Sequence, residues 1–224
     1  MRQRFLLFLT VGMVLGLMIL GIVKRQTYTD MTKQEGYLPG LQVGELPEDF
    51  AQIQCDRLSE SLPEAPVILK VEATGELEHL FHVDRQRAVI REVYAGGGLE
   101  QGEEIYLYSV HWSLLLEGDL NALERGYVNI LETGTEYLVF AEAVTEDPTE
   151  TPALVKLYDD FAVAPVFCCE ERQNVAIPTG EFSTYVPYGE VMGNEFFATS
   201  ERVLQLLEEL KERMLELYIC SRGG

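Results

Sequence analysis

Hydrophobic and polar positions divide the chain into contrasting stretches. Phe5 to Val23 reads FLLFLTVGMVLGLMILGIV without a charge. At 1.5 Å rise per residue it reaches roughly 28 Å, the hydrocarbon thickness of a bilayer. Arg2 and Arg4 precede it, and Lys24 and Arg25 follow. No small-x-small cleavage pattern follows, so the run predicts an uncleaved signal anchor. The short N-terminal segment stays inside and the large C-terminal part is exported. Residues 26–46 are polar and broken by Gly36, Pro39, Gly40 and Gly44, which predicts a spacer. Pro47, Glu48 and Asp49 suit a helix N-terminus, and Phe50, Ile53 and Arg57/Leu58 suggest its buried face.

From Val67 the period changes to two. Val67, Leu69, Val71 and Ala73 alternate with polar positions, as a half-buried strand requires. Further strands are predicted at 86–95, 103–110 and 135–144, the last more fully buried, with one or two more in 154–167. Gly96-Gly97-Gly98, Gly102 and Gly134 punctuate them. Short strands at this spacing predict a barrel or sandwich. A helix closes the chain, with Thr199 or Ser200 as its cap. Val203, Leu206, Leu207, Leu210, Met214, Leu217 and Tyr218 form one apolar stripe; Glu208, Glu209, Lys211, Glu212 and Arg213 are assigned to the other face. That stripe fits a helix covering its own barrel better than one docking a partner.

Charge changes the picture of partners. Beyond residue 25 the chain holds 37 acids against 13 bases. Such a surface repels phosphate backbones and anionic headgroups, which excludes nucleic acid; it suits basic proteins or cations as partners, or serves solubility alone, the reading that charge by itself favours.

The runs VILKVEATGEL, AVIREVYAGGGLEQGEEIYLYS and LETGTEYLVFAEA carry a resemblance. Their Glu92-Val93-Tyr94, Gly96, Gly102, Ile105, Leu107, Gly134, Tyr137, Leu138, Val139 and Phe140 resemble the barrel pattern of netrin-like and tissue-inhibitor-of-metalloproteinase-like domains, as met in bacterial membrane-anchored proteins. The resemblance covers roughly residues 66–145. It implies an OB-like Greek-key β-barrel and says nothing of activity. Inhibition in that family depends on an N-terminal cysteine amine reaching the catalytic zinc. Here the first cysteine is Cys55, behind the apolar run, so that mechanism does not carry over.

Candidate chemistry is sparse. Cys55, Cys168, Cys169 and Cys220 allow three disulfide connectivities. An adjacent Cys168–Cys169 bridge is strained, and either other pairing ties the early and terminal helices to 168–169. Free buried thiols are the alternative. His79 and His82 near Glu76, Glu78 and Asp84 invite a metal reading, but on a strand they face opposite ways. His111-Trp112 reads as a loop pair. The glycines fit neither dinucleotide nor P-loop spacing, and Glu146-Asp147-Pro148-Thr149-Glu150 and Asp159-Asp160 lack the EF-hand pattern. No catalytic, cofactor-binding or metal residue is assigned, and no cofactor is expected.

The expected architecture is mainly β with α: anchor 1–25, spacer with a short helix 26–65, OB-like barrel and extension 66–198, terminal helix and tail 199–224. The expected function is a non-catalytic, extracytoplasmic interaction module anchored in the cell membrane by a single pass, taking a protein partner at the membrane surface. An envelope-associated enzyme or protease inhibitor with a site assembled from scattered residues is the alternative, favoured by a deep pocket with convergent polar groups.

Overall fold

Alternating and continuously buried strands between Val67 and Leu157 produce a barrel. The computed structural model describes Met13 and residues 36–80, 83–117, 120–145, 152–177 and 185–220. The chain divides into Met1–Tyr37 and Leu38–Gly224, and the elements below belong to the second unit. The anchor assigned to Phe5–Val23 lies, apart from Met13, outside the described residues. Among the described residues no helix is long and apolar enough to cross a membrane.

The elements run β1 (Gln42–Gly44), α1 (Glu48–Ser61), β2 (Val67–Leu80), β3 (Val83–Ala95), β4 (Glu104–Tyr108), β5 (Ser113–Glu117), β6 (Leu120–Glu124), β7 (Glu136–Thr145), β8 (Ala153–Leu157), β9 (Val166–Cys168), β10 (Tyr185–Pro187), α2 (Tyr188–Val191) and α3 (Glu201–Tyr218). Strands β2, β3, β4, β8 and β7 pair in that order, and β7 returns to β2, closing a five-stranded barrel. The β4–β8 pair is parallel and the other four are antiparallel. β9 extends the sheet beyond β7. A second sheet has the order β10-β1-β6-β5.

β2 serves two neighbours. Val67–Glu72 pairs with β7, while the whole strand follows β3 through several register shifts. Such irregularities bend a strand around a barrel. At the bend, a Cβ on Gly75 would lie 2.9 Å from Arg87 Cβ, so the close β2–β3 approach requires glycine. β7 is buried from Tyr137 to Ala141 because both faces are covered. On it Phe140 packs edge-on against Phe167 and against Tyr218 of α3, with ring centroids 6.0 and 5.6 Å apart.

Ser200 caps α3 by accepting the Val203 N–H. The helix packs Val203, Leu204, Leu207, Leu210 and Met214 into the barrel's core cluster. Two facial assignments need correction. Leu217 is half exposed, whereas Lys211, assigned to the polar face, is buried. On α1 the buried residues are Ala51, Cys55 and Leu58, while Phe50 and Ile53 are exposed. Ala51, Cys55 and Leu58 recur at i, i+4 and i+7, so the smaller side chains take the face that meets α3. Residues 42–46, within the stretch read as spacer, enter the fold. Val43 and Leu46 are fully buried, and the Leu46 N–H donates to the Phe197 carbonyl at 2.9 Å.

Candidate functional site

The segment after β9 has no regular structure, and asparagines supply its hydrogen bonds instead. Asn174 Oδ1 accepts the N–H groups of Glu195 and Phe196 at 2.7 and 3.2 Å. Asn194 Oδ1 accepts the Val175 N–H at 3.1 Å, and its Nδ2 donates to the Val175 carbonyl at 2.7 Å. Asn129 Nδ2 donates to the carbonyls of Met192 and Asn194, while its Oδ1 accepts the Tyr188 hydroxyl. Residues 171–177 are thereby fixed against the turn after α2.

A buried ion pair stands beneath this clamp. Lys211 Nζ reaches Glu195 Oε2 at 2.5 Å and the Glu170 carbonyl at 2.8 Å. Glu195 Oε1 accepts the Cys168 N–H at 2.7 Å. Burial pushes the Glu195 carboxyl above its usual range, opposed by Lys211 and the Cys168 N–H. Every charge of the pair has a partner, which suits a structural tie between α3 and the 168–170 turn.

Two concavities open on either side. A groove of about 410 Å³ runs between α3 and residues 169–174, lined by Glu170, Glu171, Glu208, Glu212 and Glu216. A second of about 440 Å³ is lined by Ile130, Leu131, Tyr137, Tyr188 and Met192. Arg172 borders both. It is engaged by Glu132 at 2.5 Å, and Lys211 by Glu195. The acidic groove therefore has its two cations already neutralised.

The cysteines separate. All four are free thiols, with Cys55 and Cys168 buried. Cys169 and Cys220 line the acidic groove, Cys168 the second one, and Cys55 faces α3 beside Glu209 and Arg213. Burial raises the Cys55 thiol to about 11 and that of Cys169 to about 12. His79 Nδ1 meets Asp84 Oδ1 at 2.5 Å, and His82 lies outside the described residues, as does the acidic run at 146–150. Among the described residues no three His, Cys, Asp or Glu side chains converge as metal ligands.

Ser109, His111 and Asp159 come together without forming a nucleophilic triad. Ser109 Oγ donates to Asp159 Oδ1 at 2.7 Å, and Lys156 holds the other oxygen at 3.0 Å. His111 Nε2 donates to the Asp159 carbonyl at 3.1 Å. The imidazole is not placed between hydroxyl and carboxylate, so it cannot accept the serine proton. The cluster braces the β4–β5 turn.

Glu45 is a buried carboxyl away from both grooves. It is 1% exposed, and neither oxygen completes a hydrogen bond. Burial raises its pKa to about 7, with partial relief from the Ile177 N–H. A carboxyl raised on folding binds more protons in the folded state. Its penalty is absent below the ordinary carboxyl value of 4.5, grows from there to about 7, and is complete above. Between pH 4.5 and 8 the wild type is expected to lose about 3 kcal/mol through this group. Urea unfolding across that range should show a flatter profile for Glu45→Gln, and equal slopes would refute the assignment.

Lys211 and the three asparagines escaped the sequence reading. Lys211 had a signal, since it lies four residues after Leu207 and three before Met214, on the apolar stripe. Asparagines in loops carry no such pattern. The chain matches no protein-family model and none of the curated proteins compared with it.

Proposed function

We propose that this chain is a membrane-tethered, extracytoplasmic interaction module whose acidic groove receives a basic segment of a partner protein. The groove beside α3 carries the reading. Five glutamates line it, and its two cations are neutralised within the fold. A lysine- or arginine-rich segment would gain steering and register from it, more than raw affinity. The charged groups between the two grooves are paired, Arg172 with Glu132 and Lys211 with Glu195, which favours recognition over proton transfer.

The barrel itself is read as OB-type and netrin-like. Its closed order, with one parallel pair, supports that reading. So do the positions of the motif residues. Gly96 and Gly102 take positive φ between β3 and β4, Gly134 does so before β7, and Ile105, Leu107 and Tyr137 to Phe140 are buried. The anchor reading rests on Phe5–Val23 and places the module at the outer membrane surface.

The test uses the full anchored chain in intact cells, crosslinked and compared with a Glu171→Lys, Glu212→Lys, Glu216→Lys variant. All three positions are exposed. The expected result is one dominant partner, crosslinked through a basic segment, whose yield falls at least about tenfold in the variant. Equal yields, or no partner with several crosslinkers, would overturn the proposal.

A further inference from the structure

Alternation along β3 sends Asp84, Gln86, Ala88 and Ile90 into the barrel. Ala88 and Ile90 meet apolar neighbours, whereas Asp84 and Gln86 make one end polar. Arg125, just after β6, plugs that end. It is fully buried, with its guanidinium 3.5 Å from the centre of the Trp112 ring. One nitrogen, Nη2, donates to Gln86 Oε1 at 2.8 Å. Nε and Nη1 are buried and have no hydrogen-bond partner among the described residues, and the same holds for Asp84 Oδ2. Asp84 is itself fully buried, with its other oxygen on His79. Arg125 and Asp84 interact electrostatically and make no direct ion pair.

Two opposite charges that interact, each with unpartnered buried atoms, define what can lie between them. An anion would suit Arg125 but be repelled by Asp84, and a cation the reverse. The occupant must accept from a guanidinium and donate to a carboxylate while remaining neutral and small. Water has that chemistry, and buried polar groups of native proteins are satisfied in this way. We infer that the closed end of the barrel is a built internal water site, in which ordered water joins Arg125 Nε and Nη1 to Asp84 Oδ2.

The site has a reach beyond the barrel end. Gln86, held by Arg125, also accepts the Leu131 N–H and donates to the Leu131 carbonyl, both at 2.9 Å. Leu131 forms part of the second groove's wall. The hydrated pair thus fixes the backbone that shapes that groove, whether or not the groove binds a partner.

A crystal structure of the full chain in detergent, with a second crystal soaked in bromide, decides the matter. Water density within hydrogen-bond distance of both Arg125 and Asp84 Oδ2, without an anomalous bromide peak there, is the expected result. A bromide peak between the two side chains, a direct Arg125–Asp84 ion pair, or an empty space would each overturn the inference.

Discussion

Lys211→Met is expected to destabilise the domain by about 3–5 kcal/mol, because it leaves Glu195 buried without its counter-charge. The methionine keeps most of the packing volume, so the loss isolates the ion pair rather than a cavity. Glu195 would retain the Cys168 N–H and the field of Arg172, and its carboxyl, already raised by burial, would rise further. The single variant should therefore regain stability as pH falls and Glu195 takes a proton. Glu195→Gln in the Lys211→Met background removes the stranded charge and should recover about half of the loss at neutral pH. Urea unfolding of the four proteins of this cycle measures the coupling. Additive losses would show that Lys211 and Glu195 act independently and that the tie between α3 and the 168–170 turn lies elsewhere.

Gly126→Ala is expected to cost about 2–5 kcal/mol, from two sources that add. Gly126 has φ +61°, where a side chain costs roughly 1–2 kcal/mol. Its Cβ would also lie 2.9 Å from the Ala164 nitrogen and 3.1 Å from the Ala162 carbonyl oxygen. Those are backbone atoms, and a crowded backbone yields less than a side-chain tip. The Ala164 N–H donates to the Gly126 carbonyl at 2.9 Å, so any shift that relieves the clash strains this bond as well. Tyr127 follows with φ 60°, an unusual second left-handed residue that the surrounding contacts must hold in place. Thermal unfolding is the direct measurement. A melting temperature within a degree of wild type would mean that the 126–127 turn relaxes freely and carries no strain.

The barrel was legible where burial is one-sided or complete over several residues. Alternation from Val67 to Ala73 and the continuous run Tyr137–Ala141 both reported their surroundings correctly, and glycines at 96, 102 and 134 marked the turns they occupy. β5 and β6 were not read because LLLE and LNALE alternate too weakly to mark a face. β1 and β10 have three residues each, shorter than any period can show. Their pairing with each other joins Gln42 to Pro187 and Gly44 to Tyr185, far apart in the chain. The faces of α1 misled for a different reason. Size suggested Phe50 and Ile53, but close approach to α3 selected Ala51 and Cys55. At the candidate site the glutamates of α3 were visible as a charged face, while their meeting with residues 170–172 across a groove is a tertiary fact. The Arg125–Asp84 cluster was invisible in the same sense: Asp84 entered the reading only as a neighbour of histidines, and Arg125 not at all.

The clasp between the beginning and the end of the domain has a consequence for how the chain acquires its structure. β1 pairs with β10 and Leu46 bridges Ala198. Glu48 meets Ser200, while Ser59 of α1 meets Arg213 of α3. A chain that emerges from its N-terminus can close the barrel of β2, β3, β4, β8 and β7 early, yet the face that α1 turns to α3 stays uncovered until α3 follows. Loop closure of this length is slow, and contacts of high sequence separation form late. A barrel formed before α3 arrives would carry an uncovered apolar flank, the kind of surface that makes partly folded chains aggregate.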